Sequence, residues 1–160
     1  QYVLGRRRVI IEYTKTREDA HSPQRANPSD AGLDVFYSTK EPGEIIAVHP
    51  NASALVPTGL RFGVPHGYML EVKNRSSVAA KLNLVVGACV IDSGYDGEVF
   101  INVHNVGRDT RVIQDGDKIA QLVMMPVVHF QPQENIMGTL YDYPKTISNR
   151  GTGALGSTDK

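Results

Sequence analysis

The chain has one cysteine in 160 residues, which leaves no disulfide framework and no cysteine-based zinc site. Lys+Arg and Asp+Glu each number 17, so the basic surplus of a general nucleic-acid binder is missing. Tryptophan is absent, and no run of about 18 apolar residues offers a membrane-spanning helix. No charged and then apolar leader opens the chain, although Gln1 in place of Met leaves the true N-terminus open. The expectation is an intracellular protein with a single core. His49 and His66 stand alone beside turns without metal-ligand spacing, and surface positions are expected for both. Cys89 lies in an apolar run and reads as a buried, inert thiol. The 15 glycines and 9 prolines are scattered, which suits many short strands joined by turns.

Val9 to Ile11, after the basic run Arg6-Arg7-Arg8, looks like a first strand. Residues 15–30 are polar and broken by Pro23 and Pro28, so they read as a loop. Ala31 to Ser38 alternates as a strand and carries Asp34 on its buried side, either as an internal acceptor or as a functional acid. Strand-like segments at 44–48, 54–58 and 67–73 follow, punctuated by Pro50, Pro57 and Pro65. This rhythm predicts an all-β, jelly-roll-like distorted barrel or sandwich. Asn74 to Leu82 breaks the rhythm, and the VAAKL segment favours a short helix over about 76–82, capped by Asn or Ser. Its start is either a plain cap or an anion site built on Arg75, Ser76 and Ser77. Val112-Ile113 and then residues 117–128 complete the strands, with Gln121 interrupting the last one; a buried amide there must find partners.

The stretch Gly87 to Asn105 carries the strongest pattern. An apolar run through Val90 and Ile91 reaches Asp92, turn residues Ser93-Gly94 precede Tyr95, and Asp96-Gly97 signals a second turn. Val99, Ile101 and Val103 then alternate with Phe100, Asn102 and His104. The turn chemistry predicts a hairpin that holds a carboxylate and a tyrosine at the end of a buried strand. The tail, Arg150 to Thr158, is either a frayed end or a mobile phosphate lid. It is not a P-loop: the lysine is missing and no strand clearly precedes it.

Taken in order, AGLD at 31–34, RSS at 75–77, VIDSGYDGE at 90–98, GDKIAQL at 116–122 and RGTGALGST at 150–158 resemble the motif series of the trimeric dUTPases. That family hydrolyses dUTP to dUMP and pyrophosphate. The resemblance implies one β domain over 1–143, a C-terminal arm over 144–160, and a homotrimer with shared sites. It implies Asp92 as the water-activating base, with Mg²⁺ on the triphosphate and Asp34 steadying the metal through water. Arg75, Ser76, Ser77 and Gln121 match phosphate-contacting residues. Arg150, Ser157 and Thr158, with Leu155 and Gly156 between them, match the arm that closes over the nucleotide. Tyr95 resembles the residue whose ring packs under the deoxyribose, and uracil is expected on main-chain groups from Val86 through Val90 and Ile91.

The chain departs from the family pattern at Ala154-Leu155, where the arm usually carries a Phe that stacks on uracil. It also departs at Cys89, where many relatives have Gly, and at Asn74, where many have Pro. Three rivals stand beside this reading, and one of them, a purely structural β-domain, would leave the polar residues of all five motifs without a role. A dCTP deaminase of the same fold would need a catalytic Glu in the base pocket. A regulatory dUTPase would bind a protein partner, for which the 15–30 loop is a candidate surface.

Overall fold

The computed structural model describes residues 9–142, 146–148 and 150–154. It divides into one compact unit ending at Val128 and a second beginning at His129. The first unit carries β1 (Glu12–Lys15), β2 (Leu33–Phe36), β3 (Ile46–Val48), β4 (Ser53–Pro57), β5 (Leu60–Gly63) and β6 (Tyr68–Lys73). After helix α1 (Ser76–Leu82) come β7 (Leu84–Val86), β8 (Val90–Ile91), β9 (Phe100–Asn105), β10 (Arg111–Ile113) and β11 (Lys118–Pro126). One sheet runs β2-β11-β6-β8 and another β4-β9-β7, while β3 pairs with β10 and β1 with β5. All pairings are antiparallel, and most neighbours are distant in sequence. The chain therefore crosses repeatedly between sheets, in the all-β, jelly-roll-like arrangement expected from the strand rhythm.

Side-chain alternation explains which face of each strand is covered. On β9, Ile101, Val103 and Asn105 are buried while Phe100 and His104 are exposed. Ile101 packs in the core with Val56, Leu60, Val35 and Leu122, among others. Asn105 is the polar exception, and its bonds account for its burial. Its Nδ2 donates to the carbonyls of Val48 and Asp109, each at 2.8 Å, and its Oδ1 accepts from the Gly107 N–H at 2.9 Å. A buried amide so satisfied closes the turn after β9 instead of weakening it.

Several expected elements shift. The first strand is Glu12–Lys15, outside the Val9–Ile11 run, because its register is set by β5, from Glu12 opposite Gly63 to Lys15 opposite Leu60. The β5 segment itself is too short and too close to Gly59 and Gly63 to stand out in the sequence. Helix α1 has Arg75 as its N-cap in extended conformation, with no side-chain cap. Asn74, an expected cap, instead accepts the Val86 N–H on Oδ1 at 2.9 Å. The helix ends at Asn83 in left-handed conformation, and Arg111 Nε donates to the free Leu82 carbonyl at 3.1 Å.

The loop after β1 is tied down by polar contacts. The His21 N–H donates to Ser38 Oγ, and its Nε2 meets Asp115 Oδ2, both at 2.9 Å. Asp115 Oδ1 accepts the Thr39 N–H at 2.9 Å. That backbone bond is the largest cause holding the Asp115 carboxyl below its ordinary value, with His21 and Arg17 adding to it against the cost of burial. A carboxylate with a lowered folded value contributes stability above its unfolded value and loses it as pH falls through the folded one. Wild-type urea midpoints, measured from neutral pH down to about pH 3, are expected to fall more steeply than those of Asp115→Asn.

Candidate nucleotide site

Asp34 is the centre of the first cluster. It is buried on β2, 7% exposed, and both its oxygens face cations. Arg75 Nε donates to Oδ1 at 2.9 Å and Lys118 Nζ to Oδ2 at 3.2 Å. Gln121 stands opposite Asp34 on one side of β11 and opposite Lys73 on the other. Its Nε2 donates to the Asn74 carbonyl at 2.8 Å, which provides the expected partner for the amide. The cluster thus joins Asp34, Arg75 and Gln121 from three separate elements, with Ser76 and Ser77 exposed on the adjacent first turn of α1.

Lys118 is the member that sequence reasoning missed. A regular strand would put residues 118 and 121 on opposite faces. A bulge between Lys118 and Ala120 sets Lys118 opposite Phe36, in the same row of side chains as Asp34. The ammonium also lies 5.8 Å from the Phe36 ring centroid. Period-two alternation carries no mark of a bulge, so the sequence offered no signal for this contact.

The second cluster forms where the expected hairpin comes apart. β7 pairs with β9, from Leu84 opposite Asn105 to Val86 opposite Val103, and the Gly87 N–H still reaches the Asn102 carbonyl at 2.8 Å. The chain then leaves β9, and β8 pairs with β6 in the other sheet. The strand and its return are therefore no hairpin at Asp92: each is claimed by a different sheet. At the departure Cys89 is exposed, correcting the buried-thiol expectation, and its carbonyl accepts the Val72 N–H at 2.7 Å.

The gap between β8 and β9 is a cavity of about 220 Å³, lined by Val90, Ile91, Asp92, Tyr95, Glu98, Val99 and Phe100. Asp92 is exposed at its edge, and among the described residues no cation pairs with it. A turn fixes Tyr95 relative to Asp92: the Tyr95 N–H donates to the Asp92 carbonyl at 3.2 Å, and Gly94 takes the positive φ of 87° that the turn requires. β8 has a strand partner on one side only, so its other edge presents main-chain groups towards this gap. Val86 does not line the cavity, and its N–H is already taken by Asn74.

No group of three or more His, Cys, Asp or Glu among the described residues is placed to hold a metal ion. Asp34, with a cation on each oxygen, suits contact through a metal's water better than direct ligation. The donor set therefore fits a divalent ion carried on a polyphosphate, and does not fit one caged by the protein. Arg150 belongs to the second unit, where its Nε donates to the Gly153 carbonyl at 2.7 Å. Leu155, Gly156, Ser157 and Thr158 lie outside the described residues.

A buried acid paired with two cations, and a separate small cavity edged by a carboxylate and an aromatic ring, are the two polar sites of this all-β protein. The dUTPase family model matches residues 18–153. The chain is 34% identical over 151 residues to the deoxyuridine 5'-triphosphate nucleotidohydrolase of Chlamydia muridarum, covering 91% of this chain and 96% of that one. Among solved structures, a variant of the Staphylococcus bacteriophage 80alpha dUTPase with dUpNHpp superposes with a TM-score of 0.76 at 24% identity, covering 93% of this chain and 98% of that chain. A variant dUTPase from phage phi11 of S. aureus, described with a structural Mg(II) ion, gives 0.72 at 26% identity over 80% and 97% of the two chains. The chain belongs to the dUTPase family.

The backbone at Gly32 passes directly over the Gln121 amide. A Cβ built there would lie 1.8 Å from Gln121 Oε1 and 2.6 Å from its Cδ. Gly32→Ala pushes the flexible Gln121 amide off the Asn74 carbonyl and is expected to cost about 0.5–1.5 kcal/mol in urea unfolding, the worth of that hydrogen bond. Adding Gln121→Ala in the same chain should add little to that loss.

Proposed function

We propose that the protein hydrolyses dUTP to dUMP and pyrophosphate. The observation that carries this reading is the unpaired edge of β8 facing a small cavity, with Asp92 and Tyr95 placed beyond its end. Uracil presents donors and acceptors along one edge, as a strand does, and a strand edge can receive it through main-chain groups of Val90 and Ile91. Tyr95 then lies beneath the sugar, where a 2′-hydroxyl meets the ring. Asp92, exposed and without a cation partner among the described residues, takes the proton of the attacking water. The α-phosphorus reaction otherwise depends on positioning and on neutralising charge. Arg75, with Ser76, Ser77 and Gln121, supplies donors for the phosphates. Asp34 would hold, through water, a Mg²⁺ ion brought in with the triphosphate, and that ion would supply the remaining charge neutralisation.

The two clusters also support a homotrimer with sites shared between chains. Asp34 on β2 and Ile91 on β8 lie three strands apart in one sheet, roughly 14 Å across it. Ile91 faces Leu70 while Gln121 faces Lys73, which separates them further by roughly 10 Å along the strands. No residue lines both the Asp92 cavity and the larger groove, about 600 Å³, beside Arg75 and Lys118. A nucleotide is better served by the base half of one copy and the phosphate half of another. The arm from Arg150 through Leu155, Gly156, Ser157 and Thr158 is assigned to closing over the phosphates.

Two measurements test this. With Mg²⁺ and dUTP, dTTP, dCTP and UTP offered in parallel, pyrophosphate release should be confined to dUTP and should fall by about 10²–10⁴-fold in a folded Asp92→Asn variant. Ammonia release from dCTP would turn the reading towards a deaminase. Co-expressed Arg75→Ala and Asp92→Asn chains, each inactive alone, should regain about a quarter of wild-type activity through mixed trimers. Absence of complementation in mixed oligomers would mean that each chain holds a complete site.

A further inference from the structure

The loop that carries Tyr95 is fastened from outside the cavity. Tyr95 Oη donates to the Glu98 carbonyl at 2.8 Å, so the ring folds back over Gly97. A Cβ on Gly97 would lie 2.5 Å from that hydroxyl and 2.6 Å from Cζ, which leaves the ring no room to lie there beside any other residue. Glu98 is itself held, with its side chain only 12% exposed. Arg17 Nη1 donates to Glu98 Oε1 at 2.7 Å, and the Thr16 hydroxyl donates to the same oxygen at 3.1 Å. Arg17 Nη2 reaches the Ser38 carbonyl at 2.7 Å, while its Nε is buried with no hydrogen-bond partner. A buried donor is left unsatisfied where the guanidinium spans its two acceptors, a cost that marks the position of Arg17 as constrained. Gly59, at φ +69°, lies against the same group: a Cβ there would come within 3.0 Å of Arg17 Nη2.

We infer that Arg17 and Glu98 are a positioning pair that sets sugar selectivity. Arg17 fixes Glu98, the Glu98 carbonyl fixes the Tyr95 hydroxyl, and the ring so held limits the space beside the sugar's 2′ carbon. Arg17 does not line the cavity and reaches it only through Glu98, whose carbonyl holds the Tyr95 hydroxyl from within the lining, so Arg17 acts through those two residues and not on the nucleotide. The inference rests on the reading of this cavity as the site for deoxyuridine triphosphate.

The test compares kcat/KM for dUTP and for UTP, with Mg²⁺, in wild type, Arg17→Met, Arg17→Lys and Glu98→Gln. The dUTP-to-UTP ratio is expected to fall by roughly tenfold or more in Arg17→Met and Glu98→Gln, since a small misplacement of a positioning group carries a large penalty in discrimination. Arg17→Lys should restore only part of the ratio, because an ammonium lacks the fork that spans two acceptors. A merely structural pair would lower thermal stability and depress both substrates by the same factor. An unmoved ratio in folded variants of a wild type that hydrolyses dUTP overturns the inference and leaves the functional reading intact. If Arg17→Met does not fold, Glu98→Gln decides alone, since it keeps the side-chain shape and removes the charge that holds the guanidinium. A wild type that does not hydrolyse dUTP overturns the reading and the inference with it.

Discussion

A carboxylate shut away from water has to be neutralised, and Asp34 imposes that demand on two other parts of the chain. Its side chain is only 10% exposed, and it meets it with Arg75 from the cap of α1 and Lys118 from β11. Burying an unpaired charge is costly enough that both cations are fixed in place by the acid as much as the acid is by them. The consequences spread outward. The bulge in β11 exists where Lys118 must share a face with Asp34, and Arg75 is held in extended conformation at the helix start. Gly32 leaves space for the amide of Gln121 beside this same row. Both cations are held in place by the acid while their side chains stay partly open to solvent, 24% and 35% exposed.

The second organising event is the separation of β8 from β9. Two strands that continued as a hairpin would satisfy each other's main chain and leave no space between them. Here the pairing stops at Gly87, whose missing side chain lets the His104–Asn102 hydrogen bond of 2.8 Å pass close by. Past that point β6 takes one edge of β8, and Thr58 and Leu60 take the segment at Val99: the Thr58 N–H and hydroxyl donate to the Val99 carbonyl, and the Val99 N–H to Leu60. The loop is therefore stretched between two sheets. A free strand edge, a carboxylate and a ring converge on the resulting space because the chain is anchored on both sides of it.

Much of this was legible beforehand, and the parts that were not share a cause. Alternation in β9 set Ile101 and Val103 on one face, which is the buried one, and the VAAKL segment marked the helix. The order of AGLD, RSS, VIDSGYDGE and GDKIAQL identified the family, because each short pattern constrains the next. What escaped was partner choice. Hydrophobic periodicity states which face of a strand is buried but not which strand lies beside it, so the run through Val90 and Ile91 read as one limb of a hairpin and Cys89 as buried. The same blindness hid the short β5, the bulge at Lys118 and the tether from Arg17 to Glu98, which joins residues 81 positions apart.

The two clusters have no lining residue in common, and that has a bearing on how such a protein changes over generations. Substitutions around Val90, Tyr95 or Phe100 alter the shape of one cavity while leaving the acid and its two cations untouched. Substitutions around α1 do the reverse. On the proposed division of labour between the two clusters, a lineage can explore new bases or sugars while retaining the polyphosphate half, one trait at a time. Divergence of substrate within a single fold needs little more than this separability.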